Sequence, residues 1–338
     1  MNLSENLKNE NTLDILMDSL PEFCRDFFIG TSTINTQRTQ IRYAYNLKLF
    51  FDYLEETFEP EKIDAAFMDS ITPKDIEEYI FYVSKYKDKD GNVRTNNSVT
   101  KSNKLSAIRS LYKYLYSHGY VKNNPALLVN TPKPRKKEIT TLDPDEIVKI
   151  IDKISNGSGL SKKQLQTADK TRYRDIAIFT LLLTTGIRVS ECAGINITDV
   201  SFDSCEIRIL RKGLKEQIIY MSDEAREALV KYINLERPDL TNNSDEQALF
   251  ISLKHQRLSV RAIENMVKKY TSSDVTVKNI TPHKLRSTFG TALYNETGDI
   301  YITATALGHE SVNTTAKYYS KVDKERVRAA RNLVKIKE

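Results

Sequence analysis

The chain has 338 residues, 40% of them hydrophobic, enough material for two buried cores, and its 51 lysines and arginines against 45 acids give a net charge of +6, which suits a phosphate-rich partner. No run reaches the roughly 18 apolar residues of a membrane span, and Met1 to Asn11 is acidic and polar where a secretion signal is basic and then apolar. Cys24, Cys192 and Cys205 lack metal or CxxC spacing, and their odd number argues against a secreted disulfide framework, so a cytoplasmic, nucleoid-associated protein is expected.

Residues 1–20 read as a flexible tail with one amphipathic turn near Leu13 to Leu20. Residues 21–124 read as a helical domain. Its longest early helix runs from about Asn35 to Thr57, with Ile41, Tyr45, Phe50, Tyr53 and Leu54 sharing a core face and Arg38, Arg42 and Lys48 pointing elsewhere. Thr72-Pro73 starts another helix, with Asp75 and Glu77 in its first turn, where acids favour the helix dipole. A polar turn is expected at Tyr86 to Asn92. From Ser98 to His118, Lys101, Lys104, Arg109 and Lys113 interleave with Leu105, Ile108, Leu111, Tyr112 and Leu115, so an apolar stripe is backed by a basic one, and Gly119 closes the helix.

Residues 125–140 carry Pro125, Pro132 and Pro134 with Lys133, Arg135, Lys136 and Lys137, a stiff linker with phosphate affinity. A second domain, 141–323, opens at Thr141-Leu142-Asp143-Pro144-Asp145-Glu146, a capped helix start. Residues 156–170 form a polar, basic insertion read as a surface loop. A hairpin spans Glu206 to Tyr220, with helices from Ser222 to about Leu235 and from Ser259 to Tyr270. Between those helices, residues 236–246 read as a loop, Ala248 to Ile251 as a short strand and His255 as a loop residue facing solvent or phosphate. Residues 324–338 read as an amphipathic helix. The fold class is mainly α with a small β-hairpin or sheet, in two domains, and no Gly-rich phosphate loop, zinc spacing or repeat interrupts it.

Four segments carry chemistry. Thr184 to Glu191 sets Arg188 just after a glycine turn; Arg211-Lys212-Gly213-Leu214-Lys215 occupies a hairpin tip; Thr281 to Arg286 places His283 and Arg286 three apart on one side of a helix; and Leu307 to Tyr319 carries His309 and an exposed-looking Tyr318. Two arginines, a lysine, two histidines and a tyrosine suit attack on a phosphodiester without a metal. Arginine forks match the nonbridging oxygens of a phosphorane and stay charged. A histidine can accept a tyrosine proton, a lysine can protonate the departing 5′ oxygen, and a tyrosyl phosphoester keeps the bond energy for religation.

In order and content the four segments, TGIRVSE, RKGLKEQ, HKLR and LGHESVNTTAKYY, resemble the boxes of the tyrosine recombinases, or phage-type integrases, the Xer proteins among them. The resemblance covers most of the chain. It implies Arg188, Lys212, His283, Arg286, His309 and Tyr318 as catalytic residues, with Glu191 as the acid behind them, and a 3′-phosphotyrosyl intermediate with no metal or other cofactor. It makes residues 21–124 a SAM-like core-binding domain and residues 141–323 the catalytic half of a DNA clamp, with Arg38, Arg42, Lys101, Lys104, Arg109, Lys136 and Lys137 as DNA contacts. It further implies double-stranded DNA with a specific core site, a homotetramer on two duplexes that exchanges the 324–338 helix between protomers, accessory DNA-bending proteins, and a role in integration, excision, inversion or chromosome-dimer resolution. A type IB topoisomerase and a non-catalytic DNA-binding protein on the same fold are the alternatives.

Overall fold

The computed structural model describes residues 3–87, 91–132, 139–211, 215–241, 246–309 and 311–319, without the side chains of 3–8, 314 and 317–319. The chain divides into two units, Met1–Lys137 and Glu138–Glu338.

In the first unit, side-chain caps set where helices begin. Thr36 Oγ1 accepts the Thr39 N–H and opens Gln37–Phe58. The Asp75 carboxylate accepts the Thr72 N–H at 2.8 Å while Thr72 Oγ1 accepts the Asp75 N–H, a reciprocal cap on Pro73–Tyr82. Asn97 Oδ1 accepts the Thr100 N–H at 2.9 Å and opens Ser98–Ser117. These helices close around Leu47, Phe50, Leu54, Tyr79, Ile108 and Leu111, all without exposed surface.

The expected flexible tail is instead the helix Leu3–Asp18, whose Leu13 and Leu16, with Leu20 just beyond, are buried in this core. Three leucines at intervals of three and four fall on one helix face, and that one-sidedness orders the segment. Tyr45, expected inside, is exposed, and Ala44 and Leu47 take the core face. The expected polar turn carries a two-stranded antiparallel hairpin, Lys85–Lys87 with Val93–Thr95. The linker also begins later than expected. Pro125–Leu127 forms a 3-10 turn, and Ala126 and Val129 are buried in the first core.

In the second unit, Asp143 and Glu146 cap Pro144–Asn156, and the expected surface loop at 156–170 contains a helix, Lys162–Ala168, capped by Ser161 and Gln164. The helix Arg172–Thr185 is held at its start by Glu236, whose carboxylate accepts the N–H groups of Tyr173 and Arg174 at 3.1 and 2.8 Å. Its Asp175 is buried and bonded by Arg174, Lys269 and Tyr270. Thr171 Oγ1 donates to it as well, at 3.3 Å; a charge that deep needs such donors, and Lys269 and Tyr270 fix the helix against Val260–Tyr270. Val200–Ser201, Glu206–Leu210 and Glu216–Tyr220 make an antiparallel sheet in chain order, with Ile207 opposite Ile219.

Residues 237–241 are helical where a loop is expected, and Ala248 to Ile251 makes isolated bridges to Asn196 and Arg257 where a strand is expected. His255 is exposed, in a left-handed backbone conformation, with Nδ1 2.9 Å from the Leu240 carbonyl. Pro282–Thr297, Ile300–Leu307 and Val312–Tyr319 complete the described chain. Among the described residues no helix is long and apolar enough to cross a membrane. The expected 324–338 helix lies outside the described residues.

Candidate active site

Two glycine turns build the site. Gly186 ends Arg172–Thr185 with a φ of 61°, and a Cβ there would sit 2.4 Å from the Phe289 ring. Gly308 ends Ile300–Leu307 at φ 57°. Both are left-handed positions that a side chain would strain. Each turn stops a helix and presents carbonyls, and two arginines tie the turns together. Arg286, 5% exposed, donates from Nη1 to the Gly186 carbonyl at 2.5 Å and from Nη2 to the Leu307 carbonyl. Arg188 leads the helix Val189–Gly194, and its Nη2 lies 3.3 Å from the Gly308 carbonyl.

Glu191 orients Arg188. Its carboxylate is buried and accepts the Arg188 N–H at 2.8 Å and Nη1 at 2.7 Å. The Arg188 side chain keeps 43% of its surface, enough to meet a ligand. The hairpin packs over this floor, with Gln217 donating to the Thr305 carbonyl at 3.4 Å. Between hairpin and floor opens a cleft of about 1140 Å³, lined by Arg188, Glu191, Arg211, Lys215, Gly308 and His309 among others.

His309 Nδ1 stands 2.7 Å from the hydroxyl of buried Thr315. Burial first, and then the charges on Arg286, Arg188 and Arg211 and neighbouring His283, push its pKa down to about 4. The imidazole is therefore neutral at neutral pH and can accept a proton. His283 keeps much of its surface exposed, yet the protein around its ring, followed by Arg286, Arg188 and Lys284, also lowers its pKa. An unfolded histidine protonates near 6.5. Between about 6.5 and about 4 the unfolded state thus binds the proton that His309 refuses, so stability is lost as pH falls through that window. Melting temperature should drop from pH 7 to pH 4.5, and His309→Gln should flatten the drop; an identical slope in the variant would contradict this account.

Of the expected catalytic residues, the structure gathers Arg188, Arg286 and His309, with His283 within electrostatic reach and Glu191 behind Arg188. Tyr318 lies in the last turn of Val312–Tyr319 with its side chain outside the described residues, and Lys212, Lys136 and Lys137 lie wholly outside them.

Two of the expected DNA contacts need correction. Lys104 is buried at 7% exposure, with its pKa lowered by burial. Arg109 is occupied in folding back the chain that follows its helix: it bonds the Ala126 carbonyl at 3.0 Å, Thr131 Oγ1 at 2.7 Å and the Val129 carbonyl. Arg38 and Arg42 are exposed, and Lys101 is half-buried with Nζ 3.2 Å from Ser84 Oγ. Arg211, in the cleft wall, is not among the expected site residues. The signal was there: Ile207 and Ile209 face inward on a strand of period two, and residue 211 is the next position in that series.

The phage integrase family profile matches residues 140–326, and the profile of the phage integrase N-terminal SAM-like domain matches 33–119. The chain is 31% identical over 293 residues to the tyrosine recombinase XerC of Thermodesulfovibrio yellowstonii, a match covering 86% of this chain and 87% of the relative. It is 30% identical over 289 residues to the tyrosine recombinase XerD of Staphylococcus epidermidis, covering 85% and 88%. Its fold is similar to that of the XerH site-specific recombinase in a pre-cleavage complex with difH, with a TM-score of 0.64 at 20% identity over 88% of this chain and 79% of that one. The catalytic-domain match spans more than half the chain and the relatives match nearly end to end, so the chain belongs to the phage integrase family, the tyrosine recombinases, which cleave and rejoin DNA through a tyrosine intermediate.

Proposed function

We propose that in this site-specific recombinase the Tyr318 hydroxyl is the nucleophile. Its oxygen attacks the scissile phosphorus and the bond to the 5′ oxygen breaks, leaving a 3′-phosphotyrosyl linkage. Arg188 and Arg286 hold the nonbridging oxygens as charge builds on them. Neutral His309 accepts the tyrosine proton, His283 supports the phosphate beside it, and Lys212 protonates the departing 5′ oxygen. Attack by a 5′-hydroxyl on the phosphotyrosine reverses each transfer and reseals the strand. The meeting of Arg188, Arg286 and a neutral His309 at two glycine turns, one helix ahead of Tyr318, carries this reading.

We extend it to a homotetramer on two duplexes that each carry a core site, with the 324–338 helix docked on the next protomer and DNA-bending proteins as accessories. Residues 21–124 and 141–323 serve as the core-binding and catalytic domains, joined by a linker that begins after Val129. In this proposal Arg38, Arg42, Lys101, Lys136 and Lys137 meet backbone phosphates, and the protein works in the cytoplasm at the nucleoid.

The test is a nicked suicide duplex carrying the site that the protein footprints on DNA beside its own gene. In EDTA, a detergent-stable adduct at a 3′ end should accumulate, and two intact duplexes should yield exchanged strands. Adduct without exchange, together with relaxation of plasmids lacking the site, would move the protein to topoisomerase chemistry.

A further inference from the structure

We propose that Arg211 is a third phosphate-binding guanidinium of the cleavage site, an inference that rests on the recombinase reading and deepens it. Arg211 follows the strand Glu206–Leu210 in its inward-facing series, and its N–H continues the ladder to the Lys215 carbonyl at 2.8 Å. Its side chain is 9% exposed. Among the described residues none of its three guanidinium nitrogens makes a hydrogen bond. Its ion pair with Glu191 is long, Nε to Oε1 at 3.8 Å, and that carboxylate already serves the Arg188 side chain and N–H at 2.7 and 2.8 Å.

A guanidinium out of water without partners is costly and is tolerated where a ligand completes it. Burial lowers its pKa, the Glu191 carboxylate opposes that, and the Arg188 charge adds to the lowering. The cleft names the ligand's charge. Arg211 lines it beside Arg188, Gly308 and His309, and Lys215 and Glu216 on the same cleft offset each other. Among the described residues, Arg188 and Arg211 share one carboxylate, Glu191, while Arg286 is held on the Gly186 and Leu307 carbonyls, so positive charge is in excess there. A phosphodiester brings one negative charge and its phosphorane two.

Stability and activity should move in opposite directions when this cation is removed. Arg211→Met removes a buried cation that has a long ion pair and no hydrogen bond, so the apo protein should melt at a higher temperature, while single-turnover adduct formation on the nicked duplex should slow by ~10²-fold, as when one oxyanion donor is lost. Arg211→Lys should fall between, because an ammonium keeps charge but not the fork. With a methylphosphonate at the scissile position, which lacks the charge, the Arg211→Met penalty should largely vanish; a methylphosphonate at the adjacent phosphate should leave it intact. The proposal is overturned if Arg211→Met cleaves at the wild-type rate, if its penalty is equal on all three duplexes, or if it melts lower, which would make Arg211 scaffold. A penalty that vanishes only with the adjacent methylphosphonate would also overturn it, by moving Arg211 to the neighbouring phosphate. Failure of the wild-type protein to form any adduct has a different signature and sinks the recombinase reading together with this one.

Discussion

Tyr318→Phe should bind its DNA site with unchanged affinity, melt as the wild type does, and form no covalent adduct on the suicide duplex, whereas Tyr319→Phe should still form it. The loss is complete because the step needs an oxygen to become the phosphoester, and the phenyl ring has none. His309 touches Thr315, and residues three and four further along a helix lie on that same face. Those residues are Tyr318 and Tyr319, so helix geometry admits both. Resemblance to the family's boxes selects Tyr318. An adduct that survives Tyr318→Phe and disappears with Tyr319→Phe would transfer the role to the neighbour.

What could be read in the sequence was what is local. Thr72-Pro73, Asp143 with Glu146, and Gly186 act through bonds or backbone angles within a few residues, and they start or stop helices where expected. The boxes were legible because phosphoryl chemistry restricts which residue types can serve. Side chains answering to distant partners were not. Lys104 and Arg109 sit in a stripe that looks solvated until Ala126, Val129 and Thr131 fold back beneath Arg109 and the core closes over Lys104. Leu13, Leu16 and Leu20 give a faint apolar pattern, and only the surface they cover turns it into an ordered helix. Lys162–Ala168 reads as polar loop composition, while the Ser161–Gln164 cap settles it as helix. Arg211 was hidden differently: its box draws attention to the lysine beside it, and the depth of the arginine shows only when the strand's alternation is followed past Leu210.

Arg286→Ala should slow single-turnover adduct formation by ~10² to 10³-fold at saturating protein, the range for losing one preorganised donor to a developing oxyanion. Unlike Arg211→Met, it should also lower the melting temperature. Arg286 is buried and spends two nitrogens on the carbonyls of Gly186 and Leu307, which close helices far apart in sequence. Truncation leaves those carbonyls without this donor and unties the two turns that carry Arg188 and His309. Rate and stability should therefore fall together. Arg286→Lys separates the contributions, because an ammonium can reach one carbonyl or the phosphate but cannot match a planar fork against both turns. It should recover part of the stability and little of the rate. If Arg286→Lys instead restored cleavage fully, charge alone would suffice, and the bidentate role given to this guanidinium would be wrong.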